Sequence, residues 1–317
     1  MAIWALSGKR IWVAGHRGMV GSAVARRLNS EDCEILCTDR AHLDLTDQGA
    51  VGAWVAQNKP DAIILAAAKV GGILANTHYP ADFLYQNLMI QTNVMHAAHL
   101  NDVSRLIFIG SSAVYPAQAP QPISEDSLLQ GPLDTAHEGY AIAKIAGIKL
   151  VQAYRKQYGR DWIAALPTNL YGPGDNFDPQ TSHVLPALIS KVHDAKQAGA
   201  DSITIWGTGT PRREFLHADD CADALVHLLG YYSDNDPVNV GCGVDLSILE
   251  LTHIVCNVVG FTGRILLDHS KPDGVARKLL SVVKLKALQW RPVISLEDGI
   301  TETYSWFLEN NVRGALA

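Results

Sequence analysis

Three side chains in this 317-residue sequence have the types and the order needed for proton transfer to a carbonyl group. Ser111 follows an apolar run that predicts a strand, and Tyr140 and Lys144 lie four residues apart in the segment Y-A-I-A-K. This spacing places both side chains on one face of a helix. Lys144 would lower the pKa of Tyr140 and hold ribose hydroxyls, Tyr140 would protonate an alkoxide, and Ser111 would polarise the carbonyl oxygen. The three together predict a ketoreductase, although a Tyr-Lys pair alone could be an exposed amphipathic turn.

A glycine-rich turn near the N-terminus predicts a place for a dinucleotide. The segment R-I-W-V-A-G at 10–15 is typical of a buried strand, and a helical pattern begins at Val20. Between them, Gly15 would permit a tight turn, Gly18 the approach of a pyrophosphate, and Gly21 the packing of helix on strand. The pyrophosphate would rest on the helix N-terminus. Directly after a first strand, this spacing favours a dinucleotide site over a purely structural turn.

The end of the second predicted strand bears on which dinucleotide is bound. An acidic residue there holds the ribose 2′-hydroxyl of NAD, and an arginine accommodates the 2′-phosphate of NADP. Both types are present, as Asp39 and Arg40, and Arg17 in the glycine turn adds another cation. The two cations favour NADP(H), although Asp39 and Arg40 could also be solvated loop charges.

The elements that must position these residues alternate along the first half of the chain. Predicted strands lie at 10–15, 33–37, 62–68, 106–110 and 162–167, and helical patterns at 20–28, 50–58, 83–100 and 140–158. This alternation predicts βαβ units and a doubly wound parallel Rossmann sheet of the α/β class. After Asn169 the texture changes to a Pro-, Gly- and Asn-rich loop. We expect a dinucleotide-binding domain at 1–170 and a smaller α/β substrate lobe mainly at 171–317, with the chain crossing between them.

Composition narrows the class of protein further. Lys plus Arg number 26 and Asp plus Glu 32, a net charge of −6 that disfavours a nucleic-acid partner. The five cysteines are odd in number and none is spaced C-x-x-C, which disfavours a disulfide framework or zinc and predicts a reducing cytoplasm. The apolar runs are too short to span a membrane, and the histidine pair His96 and His99 lacks further ligands for a metal.

The order of these motifs resembles the extended short-chain dehydrogenase/reductases, and longer stretches are similar to the GDP-L-fucose synthases of that family. The stretches are G-H-R-G-M-V-G at 15–21, A-A-A-K-V-G-G-I at 66–73, Y-A-I-A-K-I-A-G-I-K at 140–149, P-T-N-L-Y-G-P-G-D-N-F at 167–177, S-H-V-L-P-A-L-I at 182–189, W-G-T-G-T-P-R-R-E-F-L-H at 206–217 and K-P-D-G at 271–274. The resemblance covers nearly the whole chain. It implies a homodimer that uses NADP(H) for 3,5-epimerisation and then 4-reduction of a GDP-4-keto-6-deoxyhexose.

The glycine turn and the resemblance together imply a set of site residues. Those implied to be catalytic are Ser111, Tyr140, Lys144 and His183. Those implied to bind the cofactor are Gly15, Arg17, Gly18, Met19, Val20, Gly21, Arg40, Leu45, Ala67, Lys144, Pro167, Asn169, Leu170 and His183. Those implied to bind the substrate are Ser112, Asn169, Lys191, Trp206, Arg213, Lys271 and Asp273. Lysine and arginine suit a diphosphate, whereas Trp206 could stack on a ring or pack at an edge.

One position departs from the family pattern. The family has a cysteine two residues after the catalytic serine, which shares acid/base work with a histidine matched here by His183. This chain has Ala113 there, although inversion beside a ketone needs a proton removed from one face and returned to the other. Three interpretations are open: an engineered replacement of cysteine, a natural relative that only reduces carbon 4 or inverts fewer centres, or a partnership of His183 with Ser112, a water or another neighbour.

Other functions of the same fold are also open. S-S-A-V-Y at 111–115 is close to the pattern of sugar-nucleotide 4-epimerases, which hold NAD without net consumption, whereas the segments around 167–177 and 182–189 favour the synthases. A 4,6-dehydratase would want an acidic residue where Ser112 and Ala113 stand. A non-catalytic dinucleotide sensor would typically lack the tyrosine or the lysine, and both are present.

Overall fold

The computed structural model describes residues 4–178, 181–271 and 273–310. Its strands are β1 Lys9–Ala14, β2 Cys33–Leu36, β3 Ala62–Leu65, β4 Arg105–Ile109, β5 Asp161–Pro167, β6 Asn169–Tyr171, β7 Ser202–Trp206, β8 Arg212–His217, β9 Val238–Val240, β10 Asp245–Ser247, β11 Arg264–Asp268 and β12 Arg277–Lys278. Its α-helices are α1 Met19–Leu28, α2 Gln48–Asn58, α3 Ile73–His78, α4 Pro80–Leu100, α5 Glu138–Tyr158, α6 Val184–Gln197, α7 Ala218–Tyr231, α8 Ile248–Val259, α9 Val283–Ala287 and α10 Leu296–Asn310. Short 3-10 helices are η1 Ser112–Val114, η2 Glu125–Ser127 and η3 Thr135–His137.

A six-stranded parallel sheet organises the first lobe. The strand order is β2-β1-β3-β4-β5-β9, and each neighbouring pair is parallel. The predicted doubly wound Rossmann sheet is therefore confirmed. β2 lies on one side of β1, and β3 and the later strands lie on the other side, so the order of the strands reverses between β1 and β3. In open α/β sheets a crevice forms at the carboxyl ends of the two strands at such a reversal, and ligands bind in it.

Helices cover both faces of this sheet, which explains why its strands are apolar on both sides. Every residue of β3 and β4 is buried. On one face Trp12, Phe108 and Trp162 share a core with residues of α2, α4 and α5. On the other face, side chains of α1 and α7 close the second core. This covered sheet gives the site residues at its carboxyl edge a rigid base.

The second lobe has its own core and its own sheet. Strand β8 pairs with β6, β10 and β12, and β7 pairs with β11. Helices α6, α8 and α10 surround a core that includes Leu185, Ile205, Val255 and Phe307. Segments after residue 170 also build the first lobe, since β9 is its sixth strand and α7 packs on α1. Over the described ranges, no helix is long and apolar enough to cross a membrane.

Candidate active site

The glycine turn is shaped by close approaches that leave no room for side chains. Gly15 has a φ of +93°, and a Cβ there would lie 2.6 Å from the backbone nitrogen of Ala67. A Cβ on Gly21 would lie 2.0 Å from the carbonyl oxygen of Gly15. Gly18 is the N-cap of α1 and donates its N–H to Gly15 at 3.1 Å. The first turn of α1, with Met19 and Val20, is therefore pressed against the ends of β1 and β3, as a phosphate-binding turn requires.

A cavity of about 500 Å³ lies beside this turn and is lined partly by His16, Thr38 and Asp39. Its volume is within the range of small-molecule sites. The Nδ1 atom of His16 is buried and has no hydrogen-bond partner among the described residues. The cradle that added Cβ atoms would fill, together with this unpaired polar atom, fits a dinucleotide.

The acidic residue at the end of β2 is already engaged. Asp39 forms an ion pair with Arg17, with 2.8 Å between the guanidinium and one carboxylate oxygen, and its other carboxylate oxygen lies 2.6 Å from His42 Nδ1. The hydrogen bonds from His42 and the charge of Arg17 lower the pKa of Asp39 below its ordinary value. The neighbouring Arg40 is exposed and makes no ion pair with a described residue. The negative charge of Asp39 is thus neutralised, while the guanidinium of Arg40 stays available to bind an anion.

Ser111, Tyr140 and Lys144 come together at the carboxyl edge of the sheet. Tyr140, in the first turn of α5, is hydrogen-bonded to Ser111, which follows β4. Lys144 is 3% exposed and donates from Nζ to the carbonyl oxygen of Ile109 at 2.7 Å. Its Nζ lies 5.8 Å from the centre of the Tyr140 ring. The carboxyl end of a central strand and the start of the next helix thus position all three.

The electrostatics of this centre differ from the sequence-based expectation. Burial raises the pKa of Tyr140 to about 12, although the hydrogen bond from Ser111 opposes the rise, and burial lowers the pKa of Lys144 to about 7. The net pKa of Tyr140 is thus raised in the protein alone, and the lowering contribution that we expected from Lys144 stays a prediction. The ammonium points to the Ile109 carbonyl, and desolvation outweighs its distant attraction for a phenolate.

Close packing between α4 and α5 fixes the position of the reaction centre. A Cβ on Gly147 would lie 2.3 Å from the Phe108 ring, so glycine is needed for α5 to rest on β4. From α4, Gln91 donates to the carbonyl oxygen of Ala143 at 2.6 Å. Residue 144 therefore has little freedom to move along the sheet.

The loop that leads into α6 carries His183 against the glycines of the 66–73 motif. His183 is the N-cap of α6. Gly72 donates its N–H to Thr181 at 2.8 Å, and a Cβ on Gly72 would lie 2.5 Å from the carbonyl oxygen of Ser182. Surrounding protein and the charge of His137 lower the pKa of His183 below its ordinary value. The ring is therefore neutral over most of the physiological range.

The remaining residues implied for the cofactor flank these two centres. Pro167 ends β5, and Asn169 and Leu170 form part of β6. The side-chain nitrogen of Asn169 donates to the carbonyl oxygen of Glu214 at 2.8 Å. Leu45 and Ala67 are half-buried against the first core. Along the chain these positions lie at or after the carboxyl ends of β2, β3 and β5.

The residues implied for the substrate gather mostly at one end of the second lobe. Trp206, at the end of β7, is 59% exposed, and Lys271 Nζ lies 5.6 Å from its ring centre. Lys191 reaches the neighbouring strand, donating to the carbonyl oxygen of Thr204 at 2.9 Å. Arg213 on β8 donates to the carbonyl oxygen of Val275 at 2.6 Å. An exposed ring with cations around it can receive a nucleotide and its phosphates.

Asp273 has a bonding pattern unlike the others. Its two carboxylate oxygens accept from the backbone N–H of Thr208 at 2.9 Å and from the Thr208 hydroxyl at 2.7 Å. Gly207 has a φ of +72°, and a Cβ there would collide with the same carboxylate. Asp273 therefore ties the 271–275 segment to the loop after Trp206. Pro272 of the K-P-D-G motif lies outside the described residues.

Three charged or titratable groups near Arg213 and Tyr140 were not predicted from the sequence: Lys278, His137 and Asp134. Lys278 pairs in register with Arg213 through β12 and β8, and burial lowers its pKa to about 8. His137 caps α5 three residues before Tyr140, and its Nδ1 lies 3.5 Å from a carboxylate oxygen of Asp134. None of them belongs to a recognisable motif. Only the pairing of β12 with β8 and the turn before α5 bring them to the site.

A separate cluster of possible metal ligands consists of His217, Asp219 and Glu302. Asp219 donates its backbone N–H to His217 Nδ1 at 3.3 Å, which leaves the ring proton on Nε2. That Nε2 lies 3.8 Å from Glu302, and the Asp219 carboxylate is paired with Arg26. At 3.8 Å Glu302 is too far to accept a hydrogen bond, so the buried His217 Nε2 has no hydrogen-bond partner among the described residues. We assign no metal to this cluster.

Comparison with known proteins places this geometry in a family. Residues 11–241 match the family described as the NAD dependent epimerase/dehydratase family. This chain belongs to that family. It is similar to a GDP-L-fucose synthase from Sinorhizobium fredii, at 57% identity over 98% of this chain and 99% of the relative. The resemblance stated from the sequence motifs is confirmed.

Solved structures from the family superpose over nearly the full length. A GDP-L-fucose synthetase from Naegleria fowleri, bound to NADP, matches with a TM-score of 0.90 and 28% identity over 98% of this chain and 97% of that chain. A GDP-mannoheptose C4 reductase from Campylobacter jejuni, with NADP bound, matches with a TM-score of 0.85 and 36% identity over 95% of this chain and 98% of that chain. Both lobes therefore share the family's architecture.

Proposed function

We propose that this protein is an NADPH-dependent enzyme that reduces the 4-keto group of a GDP-4-keto-6-deoxyhexose, as the final step of a GDP-L-fucose synthase reaction. The observation that carries the proposal is the Tyr140–Ser111 hydrogen bond with Lys144 buried behind it. These groups lie at the carboxyl edge of the sheet, on the same side as the glycine turn. The full-length similarity to GDP-L-fucose synthases supports the choice of substrate.

The chain's own residues then handle the proton and the charge. NADPH, when bound, supplies the hydride for carbon 4. The Tyr140 hydroxyl is placed to give its proton to the sugar oxygen, and the Ser111 hydroxyl polarises that oxygen beforehand. Lys144 holds ribose hydroxyls and, once charged, favours the phenolate that remains on Tyr140. A proton from solvent then restores the Tyr140 hydroxyl.

The choice of NADP(H) over NAD(H) follows from the charges at the end of β2. Asp39 is neutralised by Arg17 and His42, so it does not repel a phosphate. Arg40 is free of ion pairs with described residues and exposed, and a guanidinium is suited to binding a phosphate in two places. The two NADP-bound neighbours support the same cofactor. The glycine turn from Gly15 to Gly21 holds the pyrophosphate.

A GDP group is the second part of the proposed substrate. Lys191 and Arg213 provide charge for the diphosphate, and burial lowers the pKa of both. A bound diphosphate would favour the charged forms of both side chains and so offset the cost of burying them. Trp206 offers a ring face with Lys271 above it. Asp273 acts by holding the loop after Trp206. We propose that Ser112 and Asn169 contact the sugar.

We also propose a homodimer in a reducing compartment. The five cysteines are free thiols. The outer faces of α4 and α5 expose Tyr85 and Ile142, at 62% and 43%. Two such helix pairs from two copies can bury each other's apolar surface. Light scattering of the purified protein measures the mass directly.

The function is tested by following NADPH oxidation with GDP-4-keto-6-deoxymannose. We expect rapid oxidation of NADPH, much slower oxidation of NADH, and no oxidation with the saturated GDP-mannose control. An enzyme that reduces carbon 4 without epimerisation is favoured by Ala113 and by the likeness to the C4 reductase. It would oxidise NADPH but give a product with unchanged configuration at carbons 3 and 5. Absence of NADPH oxidation would favour the 4-epimerase instead.

A further inference from the structure

Two histidines from different elements approach the same region of the site. His137 ends η3 and caps α5, and His183 caps α6. Helix η3 packs on α3, and the loop before His183 packs on Gly72 at the start of α3. The two histidine-bearing segments therefore meet at α3. The charge of His137 also lowers the pKa of His183.

The segment that carries His137 also leads directly into the helix that contacts the position of the missing family cysteine. Its helix α5 packs on η1, which contains Ala113. The hydrogen bond between Tyr140 and Ser111 joins the first turn of α5, three residues after His137, to the start of that segment. The packing of α5 on η1 therefore brings the segments that carry His137 and Ala113 to the same end of α5.

Asp134 fixes the ring of His137 and its protonation. The carboxylate lies 3.5 Å from Nδ1 and also accepts the backbone N–H of Ala136 at 3.1 Å. A carboxylate on Nδ1 keeps a proton there and leaves Nε2 free to accept another. The two side chains are 24% and 31% exposed, so a substrate or water can reach them. Burial and the charge of Lys278 lower the pKa of His137, and Asp134 opposes this.

We infer that His137, positioned by Asp134, is the second acid/base group for epimerisation and acts with His183 in the place that Ala113 cannot fill. The inference rests on the proposed function. One imidazole takes the proton from the carbon beside the keto group, and the electron pair moves onto the carbonyl oxygen, which Tyr140 and Ser111 hydrogen-bond. The other, protonated imidazole returns a proton to the opposite face. The rings thereby exchange protonation states, and solvent resets them.

Solvent deuterium reports this step apart from reduction. The substrate is incubated in deuterated water with NADP⁺ in place of NADPH, and proton NMR follows exchange at carbons 3 and 5. We expect exchange in the unaltered protein and about a 100-fold slower exchange at one or both carbons in H137Q. NADPH oxidation by H137Q should change only a few-fold. The control H96Q removes a histidine that bonds Tyr154 on the outer surface and should leave both rates unchanged.

A rescue variant tests whether His137 takes over the acid/base role of the family cysteine that Ala113 replaces. The double variant A113C/H137Q should regain exchange, because it restores a thiol at the vacant position. D134N should move the pH dependence of exchange to lower pH, since loss of the carboxylate lowers the pKa of His137, which also faces Lys278 and His183. If H137Q also loses NADPH oxidation, the pH dependence of exchange in D134N decides whether His137 acts as proposed. An unshifted pH profile in D134N overturns the inference.

The outcomes separate the inference from the proposed function. Unchanged exchange in H137Q, or reduction without exchange in the unaltered protein, overturns the role of His137. Exchange without any NADPH oxidation overturns the reductase and leaves the role of His137 supported.

Discussion

Lys144 lies behind Tyr140 with its Nζ 5.8 Å from the tyrosine ring centre and 2.7 Å from the carbonyl oxygen of Ile109. Burial moves the two pKa values apart, to about 12 for Tyr140 and about 7 for Lys144. Each shift reflects the cost of holding an ionisable group out of water. The reaction centre is therefore a source of instability that the rest of the fold offsets.

Replacing Lys144 by methionine should stabilise the protein and abolish its activity. The pKa of Lys144 falls from 10.5 to about 7 on folding, so the unfolded chain binds more protons between these values and stability rises with pH there. Because one pKa unit corresponds to about 1.4 kcal/mol, we expect a gain of about 4 kcal/mol at pH 7 that shrinks as the pH approaches 10.5. Urea unfolding of both proteins at pH 7 and pH 10 measures it. A gain that grows with pH would contradict the shift.

Tyr140→Phe should remove the proton donor and leave the binding site intact. We expect kcat to fall by about 100- to 10,000-fold while the Kd for NADPH changes little. The matched control is Tyr154→Phe, which removes a hydroxyl from the same helix at a site where it bonds His96. Steady-state kinetics and fluorescence titration separate the two effects. Equal losses in both variants would mean that the helix, rather than the hydroxyl, was disturbed.

Arg40→Ala should weaken NADPH binding selectively. A charged hydrogen bond to a phosphate contributes about 1.5–3 kcal/mol, so the KM for NADPH should rise about 10- to 100-fold. The KM for NADH should stay nearly constant, since NADH lacks the 2′-phosphate. Arg291→Ala, an exposed arginine after α9, is the control for net charge. A parallel loss for both cofactors would show that Arg40 does not read the phosphate.

Gly21→Ala should strain the dinucleotide turn. Its Cβ would lie 2.0 Å from the Gly15 carbonyl oxygen, and overpacking of this kind costs about 1–3 kcal/mol. We expect a lower melting temperature and loss of NADPH binding. Gly52→Ala, in helix α2 with nothing near its Cβ position, should instead stabilise by about 0.5–1 kcal/mol. Differential scanning fluorimetry with and without NADPH compares them, and equal behaviour would refute the steric argument.

Much of the architecture could be predicted because its signals are local. The apolar run at 10–15 and the glycines after it report a buried strand and a tight turn within a few residues of each other. The pair Tyr140 and Lys144 likewise depends only on helical spacing. The parallel sheet followed from the alternation of such segments.

Contacts between distant segments could not be predicted in the same way. Lys278 reaches Arg213 only because β12 pairs with β8, across more than sixty residues. His137 belongs to no recognisable motif, and only the Asp134 contact and the packing of η3 on α3 bring it toward the site. The desolvation that reverses the expected pKa of Tyr140 also depends on the assembled core. Non-local packing, rather than any motif, determines these features.

The most direct test of the reductase is the fate of a deuterium atom carried by the reduced nicotinamide. NADPH labelled at its transferable position is mixed with GDP-4-keto-6-deoxymannose in ordinary water, and the sugar product is examined by NMR. We expect one deuterium at carbon 4 for each NADPH oxidised, and none with Tyr140→Phe over the same time. A sugar inverted at carbon 4 with no label, and with the NADPH unchanged, would contradict it and identify a 4-epimerase.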